Sequence, residues 1–264
     1  MKRLIIGLLV LAGLLVAADF GAAALAESAV SRQMREQLAL PDDPDVRING
    51  FPFLTQAAAG TYSSIDVVAR RLQVGDLQEV EVSAQLRDVE APLSEVLGSG
   101  PTSLRVGTAE GTARIGAADI ERLLGGSVDD LRIETLDSET LDQAVADGAD
   151  ASLADVDPDT VARLVGVTTV LGQETEVAVI VGLELVDGGT VRIVPRDIRI
   201  GGPDAPALPE VVQEPLRAQF TVSVDPGSLP LQVTPTSLRA RDGLLEISGS
   251  TTDRVLGAGA GGTG

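Results

Sequence analysis

The side chains able to do chemistry in this 264-residue chain are carboxylates, hydroxyls and arginines. It has no histidine, cysteine or tryptophan, and its single lysine is Lys2. General acid–base work, covalent catalysis and metal ligation most often draw on His, Cys or Lys. A serine triad therefore lacks its base, and no Gly-Xaa-Ser-Xaa-Gly elbow occurs. The 39 acids supply many pairs of the kind glycosidases use, but their abundance makes any one pair uninformative. Asp42-Asp43-Pro44-Asp45 and Asp155-Val156-Asp157-Pro158-Asp159 resemble calcium ligands only superficially. Both lack the mid-loop Gly and terminal Glu of an EF-hand and read as Pro/Asp turns or helix caps. Arg70 and Arg71, placed in a strand, point to opposite faces, so at most one could meet a ligand phosphate; ion-paired or solvated roles fit them better. No catalytic residue, metal ligand or cofactor is assigned.

The inventory argues for binding before chemistry, and the sharpest local pattern agrees. Arg47-Ile48-Asn49-Gly50-Phe51-Pro52-Phe53-Leu54-Thr55-Gln56 holds two of the four aromatic residues beyond residue 26. Pro52 restricts the backbone between the rings, and Gly50 lets the chain bend into them. Two readings stand: a hydrophobic plug closing one end of a sheet, or an apolar lip at a lipid-binding opening. On the second, the lipid-contacting candidates are Phe51, Pro52, Phe53 and Leu54, joined by Ile65 and Val67 of the strand that follows.

The elements that must position these residues are mostly strands. Aromatics are 2% of the chain, so Val, Leu, Ile and Ala carry the packing; 29 Gly and 14 Pro favour turns. Residues 27–40 show apolar positions at helical spacing and stop at Pro41. From Tyr62 the period falls to two, giving a hairpin around Gly75-Asp76, and a third strand covers 104–115. Short helices are expected at 92–97, 117–124, 138–146 and from Asp157 to Leu164. Strands return at 131–136, 167–171, 174–186, 191–200, 219–224, 231–240 and 244–250. Turns are expected at Gly98-Ser99-Gly100, Asp187-Gly188-Gly189 and Asp242-Gly243. A Gly/Pro-rich link at 201–209 leads to a helix candidate at 209–217. Residues 1–26 form an export signal or N-terminal membrane anchor, 27–256 one domain, and 257–264 a disordered Gly-rich tail.

In the N-terminal segment Lys2 and Arg3 precede a charge-free run over 4–18, which Asp19 interrupts. Ala24-Leu25-Ala26 offers a small-x-small cleavage site, while 4–26 is long enough to span a bilayer. Both readings place the remainder outside the cytoplasmic membrane, without a lipobox or a disulfide framework. Beyond residue 26 the chain carries 18 Arg against 38 acids, a formal −20, which argues against nucleic acid and against adsorption to anionic lipid by charge.

The order of these features resembles the actinobacterial DUF2993 family, whose characterised type is a phospholipid-binding protein needed for lipomannan elongation. The matching pieces are the leader running into Ala17-Ala18-Asp19-Phe20, GFPFLTQ at 50–56 and APLSEVL at 91–97. GTARIGAADIERLLG at 111–125 and LQVTPTSLRARDGLLEISGS at 231–250 match too, while the acidic stretch at 137–160 is longer than expected. The resemblance implies an α+β, tubular-lipid-binding (TULIP)-like fold, a long curved antiparallel sheet around one or two short helices, with an apolar groove. It implies a non-enzymatic, exported envelope protein whose partner is a phospholipid or lipid-linked glycan, with an envelope glycosyltransferase as a further partner. A scaffold with a self-filled interior and a carboxylate-based envelope glycosidase are the competing classes.

Overall fold

The computed structural model describes residues 2–92, 103–170, 172–186, 190–202, 205, 217, 220–224 and 235–257. The expected turns at 98–100 and 187–189, the helical turn over 93–97, strand residues 231–234, most of 201–219 and the tail beyond 257 lie outside them. The chain is α+β, and all its sheet pairing is antiparallel among the described residues.

Helix α1, Lys2–Leu38, runs unbroken through both the leader and the expected 27–40 helix. Leu and Ala, its commonest residues, favour it in sequence, Arg35 suits its last turn, and it stops short of Pro41 as a residue-before-proline constraint requires. Strand β1, Asp45–Asn49, and helix α2, Phe53–Ala59, follow. The sequence pattern predicts no helix at α2. Pro52 occupies its N-cap, where extended backbone is required, and Gly60 closes it at φ 69° in the left-handed region.

The expected hairpin forms as β2, Thr61–Val74, and β3, Leu77–Glu90, followed by β4, Ser103–Ile115. Helix α3, Ala117–Leu123, strand β5, Asp129–Thr135, and helix α4, Ser138–Ala146, come next. The helix expected from Asp157 to Leu164 shrinks to a 3-10 turn, Pro158–Thr160, because β6, Val161–Val170, claims its second half. Strand pairing to β7 over the full length of β6 outweighs a weak local helical pattern. Strands β7, Gln173–Val186, β8, Thr190–Ile200, β9, Val222–Val224, β10, Pro235–Arg241, and β11, Leu244–Gly257, complete the described elements.

Two sheets result, a six-stranded one ordered β1-β2-β3-β4-β11-β10 and a five-stranded one ordered β5-β6-β7-β8-β9. Chain contacts fall into two compact units: residues 1–70, 82–111 and 250–264 form the first, and 71–81 with 112–249 the second. In the second unit β7 is flanked by β6 and β8, and its residues 177–183 are all buried. A strand covered on both faces has no polar alternation, which explains the run VAVIVGL. Within this unit the acidic stretch 137–160 brings Leu141, Ala144, Ala149 and Leu153 to Leu136, Val161 and Ile180 in one core cluster. Three of its acids are caps: Asp137, Asp150 and Asp157 accept backbone N–H groups from Thr140, Ser152 and Asp159. The reading of Asp157-Pro158-Asp159 as a Pro/Asp turn thus holds, and Asp159 further pairs with Arg239 and Arg241.

Candidate lipid-contacting site

All six candidate residues lie in the first unit, where β2 has two chemically distinct faces. Register with β1 pairs Asp45 with Val68, Arg47 with Asp66 and Asn49 with Ser64 on one face. It pairs Val46 with Val67 and Ile48 with Ile65 on the other. Asn49 and Gln85 both donate amide hydrogens to Asp66, at 2.7 and 3.0 Å. That second bond places Gln85 on the polar face, so alternation puts Ala84 and Leu86 on the aliphatic one. Ile65, Val67, Val46 and Ala84 are only half-buried, whereas Ile48 and Leu86 are buried. The result is an aliphatic surface, partly accessible, with no polar side chain in its centre.

The polar face is equally organised. Arg70 donates to Asp45 at 2.7 Å, which settles that arginine as an ion-paired surface group. A cleft of about 630 Å³ is lined by Glu27, Ser31, Arg47, Asp66 and Val68 among others. Three carboxylates, Glu27, Asp45 and Asp66, line it against one arginine, so it is not a surface on which acyl chains gain by burial.

The GFPFLTQ segment divides between the two readings made of it. Phe53 is buried at 4% exposure and packs on Tyr62 with ring centroids 6.5 Å apart: this ring is the plug. Phe51 is 61% exposed and Leu54 47%, and the Phe51 ring stacks at 6.0 Å on Phe20 of α1, itself 63% exposed: these form a lip. Pro52 is exposed between them. Tyr62 shares strand parity with Ser64 and Asp66, so the ring pair lies on the face opposite Ile65 and Val67. The candidate set is therefore two surfaces, an aromatic lip and an aliphatic face.

Sequence reading missed what holds the lip. Asp19, 4% exposed, accepts the backbone N–H groups of Phe53 and Leu54 at 2.8 Å each. These are orphan donors at the start of α2, and Pro52, as N-cap, brings no side-chain acceptor of its own. A carboxylate 34 residues upstream caps the helix instead. The signal was present, a lone acid inside an apolar run, but only tertiary contact gives it a partner. Glu27 likewise accepts the Ile48 N–H at 2.8 Å, and the Ser31 hydroxyl donates to the Pro44 carbonyl at 2.6 Å. Both bonds satisfy backbone groups at the edge strand of the sheet. Gln56 turns back to accept the Ser63 N–H, and its amide lies 2.7 Å from where a Cβ on Gly50 would stand, so that close approach needs the glycine.

Buried carboxylates elsewhere are committed to structure. Asp119 accepts from the Gln78 and Glu79 N–H groups and pairs with Arg122, and Asp197 pairs with Arg199 at 2.8 Å. Among the described residues no group of three or more acids could hold a metal ion.

The sequence profile of the LmeA-like phospholipid-binding family matches residues 17–250, opening inside α1 two residues before Asp19. No curated protein matches the chain, nor does any solved structure.

Proposed function

The chain belongs to the LmeA-like phospholipid-binding family, and on that premise we propose that it is a non-enzymatic envelope protein, exported across the cytoplasmic membrane, that carries phospholipid or a lipid-linked glycan precursor. Acyl chains lie on the Val46–Ile65–Val67–Ala84 face, and the lipid serves lipoglycan elongation or transport, with an envelope glycosyltransferase as the receiving partner.

The family match carries this reading, and the half-buried aliphatic face supports it. Affinity there needs shape and area alone, at roughly 0.8 kcal/mol per buried methylene, so the absence of His, of Cys and of any Lys beyond Lys2 is no obstacle. Half-burial of Ile65 and Val67 on an aliphatic face fits a surface that takes an apolar partner.

The full chain, purified in mild detergent and examined by native mass spectrometry, is expected to carry phospholipid or to take it up from mixed phosphatidylinositol–phosphatidylethanolamine vesicles. The double variant Ile65→Ser, Val67→Ser should lower uptake at least tenfold while moving the melting temperature only slightly. A protein that neither carries nor acquires lipid, or a double variant with unchanged uptake, overturns the proposal.

A further inference from the structure

The first 38 residues form one helix with two kinds of surface, and the boundary between them is Asp19. Before it, every large aliphatic from Leu4 to Val16 is 42–80% exposed. From it onward a stripe is covered: Asp19 and Ala26 are buried, and Ala22, Ala23, Ala29 and Val30 are half-buried. Those positions recur at three- and four-residue spacing, the stripe of a helix lying on a domain. Of the residues that read as a signal-peptidase site, Ala26 is explained by packing, while Ala24 and Leu25 face outward. Small side chains at 22, 23 and 26 let the helix approach closely, and Ala24-Leu25-Ala26 sits mid-helix rather than in the extended form a peptidase must grip. Cutting after Ala26 would remove Asp19 and strip the start of α2 of the carboxylate that caps it.

We propose that α1 is retained as a membrane anchor, clamped to the domain through Asp19, and that the Phe20–Phe51 pair with Leu54 is the surface the domain presses into the outer leaflet of the bilayer its own anchor spans. The clamp and the anchor are continuous, which identifies the occupant of the lip. With Lys2 and Arg3 at the inner headgroups, the 16-residue rise from Arg3 to Asp19 is about 24 Å, against a hydrocarbon core of about 30 Å. Asp19 then lies near the outer edge of the core, a costly place for a carboxylate unless its oxygens are satisfied, and here both take N–H groups. Phe20 and Phe51 stack beside it, at the depth where apolar rings enter the headgroup–acyl boundary. The inference holds whatever the aliphatic face binds, because it concerns where the chain sits.

The test uses the full chain expressed in an exporting bacterial host. Intact mass should show a polypeptide that still contains residues 2–26 and stays in the membrane pellet through carbonate washing; a mature N-terminus at Glu27 overturns the proposal. The chain has no tryptophan, so Phe51→Trp creates a single indole at an exposed position that tolerates it. In liposome-reconstituted protein its emission should be blue-shifted and quenched severalfold by phospholipid brominated near the headgroup. Emission typical of water, or a blue shift that brominated lipid leaves unquenched, places the lip in solvent or against protein and overturns the bilayer contact. Phe20→Trp, read in the same way, separates a local fault of the Phe51 variant from failure of the idea.

Discussion

At residue scale the two buried polar groups nearest the lip behave in opposite ways. Asp19 is fully used, both oxygens accepting N–H groups, and a lone charge in an apolar helix becomes a structural part. Tyr62, buried at 2% exposure, has a hydroxyl with no hydrogen-bond partner among the described residues, as do Gln56 Nε2 and Ser64 Oγ. Burial pushes its phenol above the ordinary value near 10, because the phenolate is the form that loses hydration. The folded state therefore holds the proton more tightly than the unfolded chain. Stability is complete below about pH 10 and is lost as the pH rises through the folded-state value. Tyr62 is the sole tyrosine, so phenolate absorbance reads it directly: ionisation should begin above pH ~10 and track unfolding. Tyr62→Phe should abolish that alkaline loss and change neutral-pH stability by less than about 0.5 kcal/mol, since no bond is removed. Phenolate appearing at its ordinary pH in a folded protein would falsify the buried assignment.

Elements were legible wherever the sequence had one dominant period. The β2–β3 hairpin, β4, α3 and α4 stand where alternation, Gly-Asp turns and caps place them. What failed were elements decided by neighbours: β6, which begins at Val161 because β7 pairs with it, and α2, whose cap is 34 residues away. The candidate site was half legible for the same reason. Residue types marked Phe51–Leu54 and Ile65–Val67 as apolar, but only the contact of Phe53 with Tyr62 shows that this ring lies on the face of β2 opposite Ile65 and Val67. The acidic stretch 137–160 illustrates an element whose charges hide its core: Leu153 is 1% exposed inside it. Leu153→Ala should therefore cost about 2–4 kcal/mol, seen as a lower melting temperature, because a fully buried Leu leaves a cavity. Below the new transition, lipid uptake should match wild type, since Leu153 belongs to the second unit and the aliphatic face to the first. A loss of uptake in a folded Leu153→Ala protein would show that the acidic stretch takes part in binding.

At the scale of the whole molecule the dominant fact is a formal charge of −19. Such a chain is repelled by an anionic bilayer over roughly a Debye length, about 10 Å at 0.1 M salt and 30 Å at 0.01 M. An apolar lip and an aliphatic face gain their energy only on contact, so the long-range term opposes approach while the short-range term holds the complex. An anchor is a physical answer to that conflict: it fixes the domain at the membrane by covalent continuity, where charge alone would keep it away. Detached from the membrane, the protein must cross the repulsion unaided. Held in detergent-free nanodiscs and so not anchored in the vesicles, the full chain should draw lipid from phosphatidylinositol-rich vesicles faster as salt rises. A several-fold gain in rate from ~0.01 to ~0.1 M is expected, with little change for zwitterionic vesicles. Stopped-flow transfer of a fluorescent phospholipid checks this. Transfer that slows with salt would mean that a local basic contact outweighs the net charge, with Arg47 of the carboxylate-lined cleft as the first arginine to substitute.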